Sequence, residues 1–175
     1  AIKVPNMLST LAGLKVVQQT LFDGRFLAQK NLTQLMPTFA EQYSLGSQFD
    51  ECMAALQSEP NAFVLKPQRE GGGNNIYAAD VLPFIQKLAE ADRSAYILMR
   101  LIRPKVVENV SALKFGERQV IKEAVQELGI FGVYFSKNHK AIINKPAGWM
   151  LRTKSVDSQE GAVSLGMGFL DCPCI

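Results

Sequence analysis

The stretch "LKPQREGGGNN", residues 65–75, places a lysine, an arginine and a glutamate beside three successive glycines and two asparagines. Adjacent glycines permit positive backbone φ angles, so several backbone N–H groups can turn inward and form a concave array of donors. Lys66 adds a fixed cation, Arg69 can bind a phosphate or carboxylate bidentately, and Glu70 offers a hard oxygen ligand for Mg²⁺. The segment therefore has the components of a nucleotide site.

Local composition leaves a second interpretation of this segment open, a flexible, solvated surface loop that is charged but binds nothing. The spacing excludes two familiar phosphate loops. No Gly-Lys-Ser/Thr follows the glycines, as a P-loop requires, and the Gly-x-Gly-x-x-Gly spacing of a dinucleotide fold is missing. A nucleotide bound here would need another kind of phosphate cradle.

The overall composition limits the class of protein. The 175 residues are 47% hydrophobic and 20% charged, enough to bury a core in one domain or two small ones. No apolar run approaches the roughly 20 residues of a membrane helix, and "AIKVPNMLST" lacks the features of a signal peptide, so we expect no membrane partner. The net charge of +3 suits anionic small molecules, but dense Lys/Arg runs are missing, so we expect no nucleic acid partner. Because the sequence begins with alanine, we expect part of a longer protein.

The cysteines indicate a reducing compartment. There are three of them, Cys52, Cys172 and Cys174, and an odd number excludes a complete set of disulfides within this chain. The two thiols of "CPCI" and the single histidine do not make a closed zinc site.

Apolar spacing predicts about four helices and several strands. We expect helices at "NMLSTLAGLKVVQQTLFD", with Ser9 or Thr10 as its cap, at "MPTFAEQY", at "QFDECMAALQSEP", and at "AADVLPFIQKLAEAD" with Asp80 able to cap it. "AFVLK", "SAYILMRLI", "GIFGVYF" and "KAIINK" have strand composition, and "NKPAGWMLRTK" reads as a turn leading into another extended piece. The glycine segment would then join a strand to a helix.

Several motifs share one resemblance. "FVLKPQREGGGNNIY" resembles the glycine-rich lid loop of eukaryotic-type glutathione synthetases, and the similarity extends in order through "AYILM", "ELGIFGVY", "INKPAG", "LRTK" and "GAVSLGMGFLD". "AIKVPN" and "LAGLKVVQQ" fit the same family. The match covers nearly the whole chain and resembles only the C-terminal part of that family's considerably longer chain.

The resemblance implies an α+β ATP-grasp fold with mixed and antiparallel sheets, flanking helices and a glycine-rich lid loop. Residues 1–37 would be part of the main ATP-grasp body. Residues 38–118 would form the lid domain with the glycine-rich loop at 65–75, and residues 119–175 would hold the remainder of the body and the substrate loop.

It also implies an ATP-dependent carbon–nitrogen ligase that makes glutathione. ATP would phosphorylate the terminal carboxylate of γ-glutamylcysteine, and glycine would attack the acylphosphate. Such chemistry depends on positioning, charge neutralisation and exclusion of water. The expected cofactors are ATP and Mg²⁺, the expected compartment is the cytoplasm, and the expected assembly is a homodimer formed through the full-length chain.

The same resemblance assigns roles to residues of this sequence. The catalytic set would be Lys66, Arg69 and Arg152, with Arg69 stabilising the transferring phosphoryl group and Arg152 contacting the substrate carboxylate. Glu70 would hold Mg²⁺. The nucleotide would be contacted by a larger set: Lys3, Lys66, Gly71, Gly72, Gly73, Asn74, Asn75, Tyr77, Met99, Arg100, Leu101, Ile102, Glu127, Lys154 and Glu160.

Two segments depart from the residues usual in the family. At the adenine hinge, residues 99–102, Arg100 and Leu101 replace an acid and a base, so backbone contacts to adenine are expected and side-chain contacts are not. In the substrate loop, Val163 and Ser164 would bind substrate together with Arg152. Leu165 stands there in place of a small residue, which predicts an altered acceptor pocket, because each buried methylene contributes about 0.8 kcal/mol.

Three interpretations stay open. The first is an ordinary glutathione synthetase. The second is a diverged synthetase-like ligase with a changed acceptor or weak activity, as in secreted synthetase-like proteins of plant-parasitic nematodes. The third is a binding module without catalysis. Against the third stands the joint presence of ligands for phosphate, metal and carboxylate: Lys66, Arg69, Glu70, Arg152 and Lys154.

Overall fold

The computed structural model describes residues 5–69, 73–114, 116–138, 140–161 and 163–172. Four members of the predicted site lie outside the described residues: Lys3, Glu70, Gly71 and Gly72. The chain divides into two compact units, Ala1–Ile102 (unit 1) and Arg103–Ile175 (unit 2).

Unit 1 begins with three short helices, α1 (Met7–Ala12), α2 (Lys15–Phe22) and α3 (Arg25–Gln29). The single helix predicted over the first two is wrong, because Gly13 follows the last residue of α1 and glycine is costly in a helix interior. The cap of α1 is Asn6, whose side-chain oxygen accepts from the Ser9 backbone amide at 2.9 Å.

A four-stranded antiparallel sheet forms the centre of unit 1. Its strands are β1 (Gln42–Ser44), β2 (Phe63–Pro67), β3 (Ile76–Tyr77) and β4 (Tyr96–Arg100), in the order β1-β4-β2-β3. The helix predicted at "MPTFAEQY" is wrong. The 3₁₀ turn Thr33–Thr38 contains Pro37, which has no backbone donor to continue a helix, and the residues after it pair with β4.

Two helices cover one face of this sheet. They are α4 (Phe49–Ser58), as predicted, and α5 (Val81–Lys87), which is shorter than predicted and is flanked by the 3₁₀ turns Ala78–Asp80 and Glu90–Ala95. α4 contacts β1, and α5 contacts β2 and β3. Apolar side chains from these helices, from the sheet and from adjoining loops form the core of unit 1: Leu45, Cys52, Leu56, Ala62, Phe63, Leu65, Val81, Ile85 and Leu98.

Unit 2 is a second antiparallel sheet in which strands pair in chain order. It contains β5 (Val106–Lys114), β6 (Glu117–Lys137), β7 (Lys140–Ser155) and β8 (Phe169–Asp171), with the 3₁₀ turn Val163–Leu165 before β8.

The turn predicted at "NKPAG" is wrong, because β7 continues through it. Phe131 pairs with Gly148 and Gly132 with Pro146, so the chain absorbs one extra residue as a β-bulge. The strands predicted at "GIFGVYF" and "KAIINK" are confirmed as parts of β6 and β7.

The architecture is thus mixed α+β with antiparallel sheets, as predicted. Over the described ranges, none of the helices has both the length and the apolar character needed to cross a membrane.

Candidate functional site

The glycine segment connects two antiparallel strands of one sheet. Val64 pairs with Tyr77 and Leu65 pairs with Ile76, so β2 and β3 form the stem of a hairpin around the glycines. The predicted strand-to-helix connection is therefore wrong, since α5 begins only after β3. The two-residue strand "IY" was too short to recognise by its pattern. Both ends of the segment are therefore held by neighbouring strands at the same end of the sheet.

Two hydrogen bonds in unit 1 anchor the stem of this hairpin. Lys66 lies half-buried within β2, next to the glycines. The Gln68 backbone amide donates to the Ala95 carbonyl at 2.8 Å. From α2, the Lys15 ammonium donates to the Arg69 carbonyl at 2.8 Å, while the Arg69 side chain is exposed. The backbone is thus fixed up to Arg69, and its guanidinium faces solvent, where it can reach an anion.

The far side of the hairpin carries four more predicted nucleotide residues. Gly73 has φ of 83°, and a side chain there would meet no atom within 4 Å. A glycine is therefore favoured for its left-handed conformation and not for lack of space. The Asn75 side-chain amide donates to the Tyr77 hydroxyl at 3.2 Å, and Asn74 lies between them and Gly73 in the chain.

The register of β2 and β4 separates the predicted hinge residues onto two faces of the sheet. Val64 pairs with Met99 and Phe63 pairs with Arg100. Because side chains alternate along a strand, Met99 shares a face with Lys66, whereas Arg100 lies on the face covered by helices. The predicted site residues Met99 and Lys66 therefore lie on one face of the sheet, opposite to Arg100.

The Arg100 side chain is engaged inside unit 1. Its two terminal nitrogens donate to the Glu59 carboxylate at 3.1 and 2.9 Å, and its Nε donates to Glu41. The guanidinium lies 4.8 Å from the centroid of the Phe63 ring. The hydrogen bonds to Glu59, and then to Glu41, raise the pKa of Arg100. Sequence reasoning missed both acids, although a basic residue at the hinge was a signal that acids lay near it.

Two backbone amides of the hinge are also in use. The Arg100 amide donates to the Glu41 carbonyl and the Leu101 amide to the Ala62 carbonyl, both at 2.8 Å. Ile102 is 78% exposed. A base bound at the hinge would consequently form hydrogen bonds with the backbone carbonyls of the hinge or with the Ile102 backbone amide.

Unit 2 brings four predicted residues together at β6, β7 and the turn that follows. Glu127 and Arg152 are direct partners across the two strands, and their side chains form an ion pair. Lys154 lies two residues further along β7 and therefore on the same face. Glu160 is close enough to Lys154 to act on its pKa. The result is a strip of two cations and two acids.

Lys154 is held in place by the turn after β7. Its ammonium donates to the Ser158 carbonyl at 2.6 Å and the Gln159 carbonyl at 2.9 Å. Burial lowers the pKa of Lys154, while Glu127 and Glu160 act in the opposite direction. A partly desolvated cation of this kind interacts more strongly with an anion than one surrounded by water.

The predicted substrate loop packs against β7. The Gly166 amide donates to the Val163 carbonyl at 3.0 Å, which closes the turn containing Ser164. A Cβ on Gly168 would lie 3.1 Å from the carbonyl oxygens of Gly161 and Thr153, so the loop and the strand touch through their backbones.

A polar network that sequence reasoning missed supports this strand from its other face. Thr153 is fully buried, and its hydroxyl donates to the Asp171 carboxylate at 3.1 Å. The side-chain amide of Gln126 donates to the same carboxylate at 3.4 Å. The network ties β6, β7 and β8 together behind Arg152 and Lys154.

The described part of the chain contains no group of three or more histidine, cysteine, aspartate or glutamate side chains that could hold a metal ion. The predicted ligand Glu70 lies outside that part.

Comparison with known proteins gives the family. Residues 3–175 match the model of the eukaryotic glutathione synthase ATP-binding domain. The chain is 38% identical to human (Homo sapiens) glutathione synthetase, over 99% of this chain and 38% of that protein. It is 40% identical to the chloroplastic glutathione synthetase of Arabidopsis thaliana, over 98% of this chain and 32% of that protein. The chain thus spans well under half the length of these relatives.

Among solved structures, the fold is similar to that of a glutathione synthetase-like effector from Globodera pallida in its apo form. The TM-score is 0.73 with 21% sequence identity, over 99% of this chain and 36% of that one. The family resemblance read from the sequence is confirmed, and the chain belongs to the eukaryotic glutathione synthase ATP-binding domain family.

Proposed function

We propose that the chain is the ATP-binding part of an ATP-grasp ligase that joins γ-glutamylcysteine to glycine. The observation that carries this proposal is a strip of charged residues, within a chain that matches the family over residues 3–175. It consists of Glu127, Arg152 and Lys154 on the β6–β7 pair and Glu160 in the turn that follows. Two cations and two acids arranged on one side of a sheet can bind a nucleotide and orient a carboxylate.

Unit 1 would supply the phosphate contacts. Lys66 at the hairpin stem and Arg69 beyond it would neutralise charge on the β- and γ-phosphates, and the glycine segment would cover them as a lid loop. Gly71, Gly72, Gly73, Asn74, Asn75 and Tyr77 would contribute backbone and side-chain contacts, as would Lys3 nearer the start of the chain. The division into a body at 1–37 and 119–175 and a lid at 38–118 belongs to this proposal.

The base would be read by backbone groups of residues 99–102, and Glu127 would complete the nucleoside pocket. Lys154, whose ammonium is already held by two carbonyls, would contact ATP with Glu160 beside it. Arg100 has its side chain committed elsewhere, so any contact from it would come from its backbone.

The reaction would depend on charge placement. The terminal carboxylate of γ-glutamylcysteine would attack the γ-phosphate and displace ADP, while Arg152 orients the carboxylate and Arg69 stabilises the transferred group. The glycine amine would then displace phosphate from the acylphosphate, within a site that excludes water. Val163 and Ser164 would contact the acceptor.

The proposed metal ion is Mg²⁺, held by Glu70 and phosphate oxygens. Mg²⁺ commonly binds through one or two carboxylates together with substrate phosphates, so a single acid from this chain fits the ion. Mg²⁺ would neutralise charge on the phosphates. We further propose a homodimer in the cytoplasm, by similarity to the family.

A second candidate is a ligase of the same type with another acceptor. It is favoured by Leu165, a large residue in the substrate loop. A diverged member of this kind could be secreted.

The test is ADP release by the complete protein with Mg·ATP and γ-glutamylcysteine. The comparison covers no acceptor, glycine, β-alanine, serine and alanine. Release that depends on glycine supports the first candidate, and release that depends on another amino acid supports the second. ATP binding without turnover under any condition would mean a binding module and contradict both.

A further inference from the structure

The cluster around Arg100, which we call the Arg100 clasp, consists of Arg100, Glu41, Tyr43, Glu59 and Phe63. Glu41 directly precedes β1, Tyr43 lies in β1, Glu59 directly follows α4, and Phe63 begins β2. The clasp therefore joins the end of β4 to three other elements of unit 1.

The geometry of the clasp fixes the guanidinium in orientation as well as position. Glu59 binds both terminal nitrogens, a two-pronged arrangement that sets the plane of the guanidinium. The Nε donates to one oxygen of Glu41, and the Tyr43 hydroxyl donates to the other. The hydrogen bond from Tyr43 lowers the pKa of Glu41 most, and the hydrogen bond from Arg100 lowers it further, so the acid stays charged. The Phe63 ring also contacts the guanidinium, with its centroid 4.8 Å from the Arg100 Cζ atom.

The clasp is situated where the chain leaves unit 1. β4 ends at Arg100, unit 1 ends at Ile102, and residues 101–105 belong to no helix or strand. Two backbone bonds act at the same point, from the Arg100 and Leu101 amides to the Glu41 and Ala62 carbonyls. Arg100 is thus the last residue held by side chain and backbone together before an irregular segment.

This arrangement differs from a single exposed ion pair, which contributes little to overall stability, because the guanidinium binds Glu59 through two nitrogens and Glu41 through a third. What it does is remove rotational freedom from the end of β4. Arginine suits that task and lysine does not, because only a planar fork can bind Glu59 through two nitrogens and Glu41 through a third.

We propose that Arg100 is a positioning residue that holds residues 99–102 in the conformation that receives the base of the nucleotide. This inference rests on the proposed function, in which the hinge backbone reads adenine. Arg100 acts through the backbone that it orients and does not itself touch the base.

The test uses Arg100→Met, which keeps a long apolar side chain, and Arg103→Met as the matched control. Arg103 is an exposed arginine in the same segment. Two quantities are measured on the complete protein: the Kd for Mg·ATP, and hydrogen exchange of the amides of residues 97–102. For Arg100→Met we expect Kd to rise about tenfold, kcat at saturating ATP to change less than about twofold, and the Leu101 amide to exchange faster. Arg103→Met should resemble the wild type.

A charge exchange separates positioning from simple loss of a side chain. Arg100→Glu would face Glu41 and Glu59 and should weaken ATP binding more than Arg100→Met. Adding Glu59→Arg recreates an ion pair of reversed polarity, and part of the affinity should return.

The outcomes distinguish this inference from the proposed function. An unchanged Kd and unchanged Leu101 exchange in Arg100→Met would overturn the positioning role alone. A loss of kcat with unchanged Kd would overturn it too, because it would place Arg100 in the chemistry. A wild-type protein that binds no ATP would overturn the proposed function and this role with it.

Discussion

Glu127 and Arg152 lie directly opposite each other on β6 and β7, and the Arg152 guanidinium donates to the Glu127 carboxylate. In the proposed site one belongs to the nucleoside pocket and the other to the carboxylate site. The ion pair therefore links the two subsites through a single contact. Because the Glu127 side chain is 66% exposed, the pair can open to admit a ligand at little cost.

Neutralising Glu127 and neutralising Arg152 should affect the binding of two different substrates. We expect Glu127→Gln to raise KM for ATP by about threefold to tenfold, and Arg152→Gln to raise KM for γ-glutamylcysteine and lower kcat by about 100-fold. Each variant should change the free energy of unfolding by less than about 1 kcal/mol, because the pair is exposed. Steady-state kinetics and thermal unfolding provide the measurements. If both variants raised the same KM, the division of the pair between two subsites would be wrong.

The charged strip in unit 2 could be anticipated from the sequence for a physical reason. "LRTK" lies in a strand, and alternation in a strand places Arg152 and Lys154 on one face wherever the strand lies. The helix α4 and the strand β2 were likewise predicted correctly, since each carries a local pattern of apolar residues.

Features that depend on distant partners could not be anticipated. Gln42 and its neighbours become a strand because β4 pairs with them, and no local pattern shows this. The same holds for Arg100, which looks like a changed hinge residue until Glu41 and Glu59 are seen around it. The spacing of apolar residues also gave a wrong prediction at Gly13. The helix α1 ends there, although the apolar pattern continues beyond it.

The half-buried Lys154 should give the folded state a measurable dependence on pH. Its pKa is lowered from the ordinary 10.5, so the folded protein releases this proton at a lower pH than the unfolded chain does. Between the two pKa values the unfolded state binds more protons, and stability contributed by this residue therefore rises with pH. Below the folded pKa the cost of burying the charge is fully present.

Lys154→Met should remove that rise. We expect the wild-type free energy of unfolding to increase relative to the variant as the pH approaches 10.5, and ATP affinity to fall in the variant at neutral pH. Lys145→Met, at an exposed lysine of the same strand, should keep the wild-type dependence. Denaturant unfolding at several pH values measures this. A parallel pH dependence in wild type and Lys154→Met would contradict the assignment.

Because Gly168 lies close to β7, replacing it with alanine should cause a steric clash. Backbone strain is not involved, since the φ angle of Gly168 is not in the left-handed region. In Gly168→Ala the new methyl group would lie 3.1 Å from two backbone carbonyl oxygens, neither of which can swing away as a side-chain end could. Overpacking of this kind typically costs about 1–3 kcal/mol, so we expect a lower Tm and a displaced substrate loop.

Gly132→Ala is the control for that variant. Its methyl group would lie 3.8 Å from the Lys145 carbonyl oxygen, an ordinary contact, and its effect on stability should stay within about 0.5 kcal/mol. Thermal unfolding of the two variants compares them. An equal loss of Tm in both would mean that glycine is required at these positions for a reason other than close packing.

The choice of acceptor should be set by the turn Val163–Leu165. In Leu165→Ala three carbon atoms are removed from the proposed acceptor pocket, and each methylene contributes about 0.8 kcal/mol when buried. We expect the ratio of kcat/KM for glycine to that for alanine or serine to rise by about tenfold, because the larger acceptors lose more apolar contact than glycine does. Met167→Ala, at a nearby exposed position with no assigned role, should leave the ratio nearly unchanged. Acceptor-dependent ADP release measures both. An unchanged ratio in Leu165→Ala, or an equal change in Met167→Ala, would contradict the placement of the acceptor at this turn.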